Sequence, residues 1–106
     1  MSNKINSQAE AALPKWLQLG DGIATVMLSK ASEANGIKVD KLTLREPTVR
    51  EMRAATLHGG SNEEEQEMTL FCSLASIGRA DLEGLLMRDY RRLQTAYFRL
   101  GADDGV

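Results

Sequence analysis

Residues 68–77, M-T-L-F-C-S-L-A-S-I, constrain this chain more than any other stretch of it. Wound at about 100° per residue, they set Phe71, Ala75, Met68 and Cys72 on one side and Ile77, Leu70 and Leu74 on the adjoining side. Thr69, Ser73 and Ser76 keep the remaining stripe. The apolar arc spans roughly 220°, where a helix resting on a core with one side needs only about 100° or somewhat more. Such a helix must be covered around most of its circumference. Either the rest of the chain wraps it, or another chain covers part of it.

The chain available for that task is short. Its 106 residues make one domain, and a chain of this size buries only somewhat over ~60% of its unfolded surface, so the core is thin. Thirteen Lys and Arg against fifteen Asp and Glu give a net charge of −2, which leaves no electrostatic footprint for nucleic acid. The longest apolar run falls far short of the ~20 residues that a membrane span needs. The opening M-S-N-K-I-N-S-Q-A-E lacks the apolar centre of a secretory signal. A single cysteine, Cys72, excludes an internal disulfide and suits a reducing, cytoplasmic setting, where it serves as a small buried apolar side chain.

Around the central stretch the chain reads as follows. Residues 1–20 are polar or small, broken by Pro14 and Gly20, and are expected to form a flexible arm in which Trp16 is a candidate anchor. From 23 to 45 the period is two, which predicts a hairpin of roughly 23–31 with 36–45. Residues 32–36, S-E-A-N-G, supply its turn, and a bulge at Asp40-Lys41 would return Ile37-Val39 and Leu42-Leu44 to one buried face. Thr48 with Glu51 forms a capping box for a helix of about 48–57 with Val49, Met52 and Thr56 on one face. Ser61 with Glu64 offers a second capping box for the central helix, 62–77, which is expected to stop at Gly78. A short helix of 80–86 turns Leu82, Leu85 and Leu86 inward. A last helix of 89–100 buries Tyr90, Leu93, Ala96, Tyr97 and Leu100 and gathers Arg88, Arg91, Arg92 and Arg99 opposite. Those arginines can clamp acidic groups of a partner or the Glu63–Glu67 turn. Residues 101–106 read as a frayed tail.

Catalytic chemistry is not legible. One histidine, His58, and one cysteine cannot build a Cys-His zinc site or a nucleophile with a base and an orienting third group. Gly20-Asp21-Gly22 lacks the third glycine and the strand and helix that a dinucleotide motif requires. The carboxylates are interleaved with other charges, and no apolar pocket is in view to raise one of their pKa values. The residues therefore predict a protein that is not an enzyme, with no cofactor and no metal.

Three segments together carry a resemblance. T-V-M-L-S-K followed by G-I-K-V-D-K-L-T-L-R-E-P-T-V-R-E, then S-L-A-S-I-G, then D-L-E-G-L-L-M-R-D-Y-R-R-L-Q resemble the small tail assembly chaperones of Mu-like contractile-tailed phages and prophages, the tail assembly protein E family. The resemblance covers about residues 23–100. Leu42-Thr43-Leu44-Arg45-Glu46-Pro47-Thr48 is its most specific part and Asp89-Tyr90 a second mark, while Ala31 stands where a proline is expected. It implies a protein of the bacterial cytoplasm that binds the tape measure protein, keeps it soluble and helps recruit tail tube protein around it, with no nucleic acid or membrane partner. Whether it forms a homo-oligomer stays open.

A holdase of that kind offers an apolar groove, which fits the over-wide apolar arc. The expected fold is α+β, an N-terminal β-hairpin packed on three or four short helices. The expected partner-binding residues are Met68, Leu70, Phe71, Leu74 and Ile77 as a mixture of core and groove, Met52 and Met87 as adaptable contacts, and Arg91, Arg92 and Arg99 as polar contacts. The alternative reading is a small regulatory or adaptor module, without catalysis, that pairs its hairpin across a homodimer.

Overall fold

Ala24, Val26 and Leu28 alternate with more exposed neighbours, as do Leu42 and Leu44, and all five are buried on one face of an antiparallel sheet. A computed structural model describes residues 13–101. Three strands, β1 (Leu17–Gly20), β2 (Ile23–Ala34) and β3 (Ile37–Arg45), form the sheet in that order. Four helices follow: α1 (Val49–Gly59), α2 (Glu63–Ala75), α3 (Arg79–Glu83) and α4 (Met87–Gly101). The α+β class is as expected, with the sheet covered on one face by α4 against β2 and α2 against β3.

Several expectations need correction. The end of the expected arm of 1–20 is a strand, because Leu17–Gly20 pairs with Ile23–Val26 through a tight turn in which Gly22 takes a φ of 70°. Residues 1–12 and 102–106, including most of the expected arm and tail, lie outside the described residues. The hairpin turn is only Asn35-Gly36, with φ of 56° and 81°, so β2 runs on to Ala34. The sheet is irregular where a bulge was expected, but the extra residues are in β2. Met27 pairs with Lys41 and Ser32 with Val39, so residues 28–31 stand opposite Asp40 alone. Ile37 consequently stays 66% exposed instead of returning to the core face.

The helix ends also differ in detail. Thr48 and Glu51 make the expected capping box on α1, but α2 is capped by the Asn62 side chain, which accepts from the Glu65 amide, and not by Ser61. Ser76, with φ 56° and ψ 47°, takes the left-handed position expected of Gly78, and Gly78 instead leads into α3, donating its amide to Asp81 Oδ2 at 3.2 Å. Leu82 is buried and Leu86 points outward. Helix α1 rests on α2 through Ala55 alone among its buried side chains, so Val49 and Met52 are not the inward face. The approach is close at Gly59, where a Cβ would lie 2.7 Å from the Gln66 amide nitrogen.

The apolar arc of α2 is largely covered by its own chain. Leu70, Phe71 and Leu74 are buried within it and Ile77 just beyond it, while Met68, Cys72 and Ala75 are half-buried against the same core. Phe71 is the central side chain, its ring 5.7 Å from that of Tyr90 and 5.5 Å from that of Tyr97.

One charged group shares this core. Asp89, in the first turn of α4, is fully buried, and its Oδ1 accepts the Ser29 amide at 2.8 Å and its Oδ2 the Lys30 amide at 3.4 Å. Both amides belong to the irregular stretch of β2, so the carboxylate supplies the acceptors that a regular ladder would have provided. Arg92, one turn on, donates to the Met27 carbonyl at 2.8 Å, lies 3.9 Å from Asp89, and stacks 5.2 Å over the Trp16 ring. Two substitutions test this arrangement by urea unfolding. Phe71→Ala is expected to cost roughly 3–5 kcal/mol, and Asp89→Ala about 1–3 kcal/mol through the stranded amides. An Asp89→Ala protein as stable as the parent would contradict the assigned role.

Candidate partner-binding surface

The enclosure of α2 decides which expected binding residues are reachable. Leu70, Phe71, Leu74 and Ile77 are 0–8% exposed and belong to the core of the lone chain. Expected as a mixture of core and groove, all four lie on the core side, with the sheet, α1, α3 and α4 packed around them. Met68 is half-buried and opens onto a cleft of about 290 Å³, together with Leu82, Leu85, Met87 and Tyr90. Met52 lines a second cleft of about 270 Å³ between α1 and α4, floored by Ala55 and Leu70 and walled by Tyr97, whose hydroxyl lies 3.2 Å from the Met52 sulfur. The two flexible thioethers expected to serve as adaptable contacts, Met52 at 40% and Met87 at 61% exposure, are thus both on the surface.

The three arginines separate. Arg91 is exposed and Arg99 half-exposed, and neither forms an ion pair among the described residues. Arg92, expected as a polar contact to a partner, is engaged within the chain with Trp16, Asp89 and the Met27 carbonyl. The clamp on the acidic turn comes from elsewhere: Arg79 pairs with Glu65 at 2.5 Å, and Glu67 accepts from Tyr90 at 2.6 Å and Gln94 at 2.9 Å.

Large apolar side chains exposed on the helices include three not anticipated, Val49 at 76%, Leu57 at 81% and Phe98 at 74%. Val49 and Leu57 flank Arg50, Arg53 and Ala54 on the outer side of α1. The signal existed in the sequence. Placing Ala55 inward turns 49, 53 and 57, at i, i+4 and i+8, to the opposite side, and Phe98 falls between Arg91 and Met87 on the wheel of the last helix.

Around these surfaces the electrostatics are structural. Arg45, at the end of β3, forms a two-pronged pair with Glu51 and reaches toward the Ser73 carbonyl at 3.5 Å, tying sheet, α1 and α2 together. The Arg45 guanidinium, and then the Thr48 amide, hold the Glu51 carboxyl down to about 2 from an ordinary 4.5. The Glu65 carboxyl is lowered by Arg79, and burial pushes the Cys72 thiol up. Among the described residues no cluster of three or more His, Cys, Asp or Glu could hold a metal ion, and no helix is long and apolar enough to cross a membrane.

The lowered Glu51 value fixes a sign. A carboxyl with a folded pKa below its unfolded one contributes stability in full above about pH 4.5, and that contribution is lost as pH falls toward 2. Denaturant midpoints measured across this window are expected to fall with acid. Glu51→Gln lowers the midpoint at neutral pH and flattens the acid dependence, leaving the smaller share due to Glu65. An unchanged slope in Glu51→Gln would show that the pair contributes nothing.

No curated protein and no solved structure matches the chain. A family model does, over residues 25–101, which takes in nearly all of β2 together with β3 and the four helices. The chain belongs to the family of phage tail assembly chaperone proteins, E, or 41 or 14.

Proposed function

We propose that the protein binds the tape measure protein of its phage or prophage, keeps it soluble, and helps recruit tail tube subunits around it. In this reading it works in the bacterial cytoplasm as a non-catalytic holdase and takes no cofactor. The observation that carries the reading is the family match, which spans residues 25–101. The surface supports it from a different direction. Single exposed apolar side chains are ordinary on a folded monomer, whereas several along one helix face make contact area for a partner. Here Val49 and Leu57 on α1 and Met87 and Phe98 on α4 are each more than 60% exposed. Both helices can therefore offer apolar contact area to a client without unfolding the chaperone.

The test is co-expression with the tape measure protein of the same tail gene cluster, reading the soluble fraction of that protein. The expected result is a several-fold rise in soluble tape measure protein and its co-elution with the chaperone. Unchanged solubility, with the chaperone itself folded and abundant, would contradict the reading.

A further inference from the structure

The outer face of α4 combines exposed apolar side chains with arginines that form no ion pair among the described residues. Met87, Arg91 and Phe98 stand at i, i+4 and i+11, one stripe running three turns along the helix. It lies opposite Asp89, Leu93 and Ala96, which face the sheet. Met87 is 61% and Phe98 74% exposed. Arg88 and Arg99 border the stripe, and with Arg91 they form no ion pair among the described residues. Of the nearby carboxylates, Glu67 is engaged by Tyr90 and Gln94 and Glu83 by Arg79, while Glu64 lies at the Met87 end of the face, in the cleft shared with Tyr90.

A straight apolar stripe of helical spacing is matched by the ridge of a second helix packed along it. The border of guanidinium groups selects the charge of that helix, since each can donate two parallel hydrogen bonds to a carboxylate. A second copy of the same face is a poor occupant. Packed antiparallel on itself it would bring Arg88 and Arg91 near Arg99 of the other copy, and like charges facing across an interface are unfavourable. We infer that the outer face of α4 docks an acidic amphipathic helix, with Met87 and Phe98 seated against its apolar ridge and Arg88, Arg91 and Arg99 meeting its carboxylates. This deepens the holdase reading and rests on it for the identity of the client.

The test uses the full chain and two synthetic helical peptides of about three heptads. Both carry leucine along one ridge; the flanking positions are glutamate in one and lysine in the other. Fluorescence anisotropy is expected to show the glutamate peptide binding at least about tenfold more tightly than the lysine peptide, with affinity falling as salt is raised. Phe98→Ser and Arg91→Glu, both at exposed positions and expected to leave the helical circular dichroism unchanged, are each expected to weaken binding of the glutamate peptide about tenfold. Arg91→Glu should also narrow the preference between the two peptides. Equal binding of both peptides, or variants that bind like the parent, would overturn the assignment, as would tighter binding of a single-stranded RNA oligonucleotide at the same face. The same variants in the co-expression assay separate the two claims. If the parent and both variants solubilise the tape measure protein equally, the α4 face is wrong and the holdase reading stands. If the parent fails, the holdase reading falls whatever the peptides do.

Discussion

The fold depends on a buried carboxylate that completes an imperfect sheet. Residues 28–31 of β2 have only Asp40 opposite them on β3, and β1 has already ended at the level of Val26. Two amides of that stretch, those of Ser29 and Lys30, are aimed at Asp89, whose burial is tolerable because it accepts both and has Arg92 close by. The same contact sets where α4 lies. With its first turn fixed on β2, α4 places Leu93 and Ala96 on the sheet and Tyr90 and Tyr97 around Phe71. Trp16 stacked on Arg92 extends the cluster to the segment before β1.

Once α4 is anchored, the over-wide apolar arc of α2 is closed from within. The sheet, α1, α3 and α4 meet around Phe71, Leu70, Leu74 and Ile77, and several large apolar residues of the outer helices find no place in that core. The consequence appears on those outer helices. Helix α1 buries only Ala55, and α4 turns Met87 and Phe98 away from the core. A tail assembly chaperone built this way keeps its most hydrophobic helix as a structural centre and exposes apolar side chains beside arginines on the outer faces of α1 and α4. In the reading developed above, those outer faces are where a client is held.

Much of this was legible in the sequence. The capping box at Thr48 and Glu51, the alternation through β2 and β3, and the inner residues Leu93 and Ala96 all follow from spacing and local chemistry. The family, too, could be read from the L-T-L-R-E-P-T segment and its neighbours. What escaped were features decided by long-range contacts. Leu17–Gly20 is too short to announce a strand, although Asp21-Gly22 beside it is a strong hairpin turn. The side of the bulge is set by where Asp89 can reach, a contact 60 residues away in the chain. For the binding surface, the wheel of residues 68–77 gave a helix that must be covered around most of its circumference. It could not tell whether its own chain or another would do the covering, and the answer moved the exposed apolar residues to α1 and α4.

The central claim is that α2 is already sheltered in the lone subunit and that the client rests on the outer helices. Hydroxyl-radical footprinting of the chaperone, alone and in complex with the tape measure protein, measures this side chain by side chain. The account predicts strong modification of Met87, Phe98 and Leu57 in the free protein, protection of Met87 and Phe98 in the complex, and an unreactive Phe71 in both. A Phe71 that is readily modified in the free chain and becomes protected only on binding would show that α2 is the open surface, and would contradict the account.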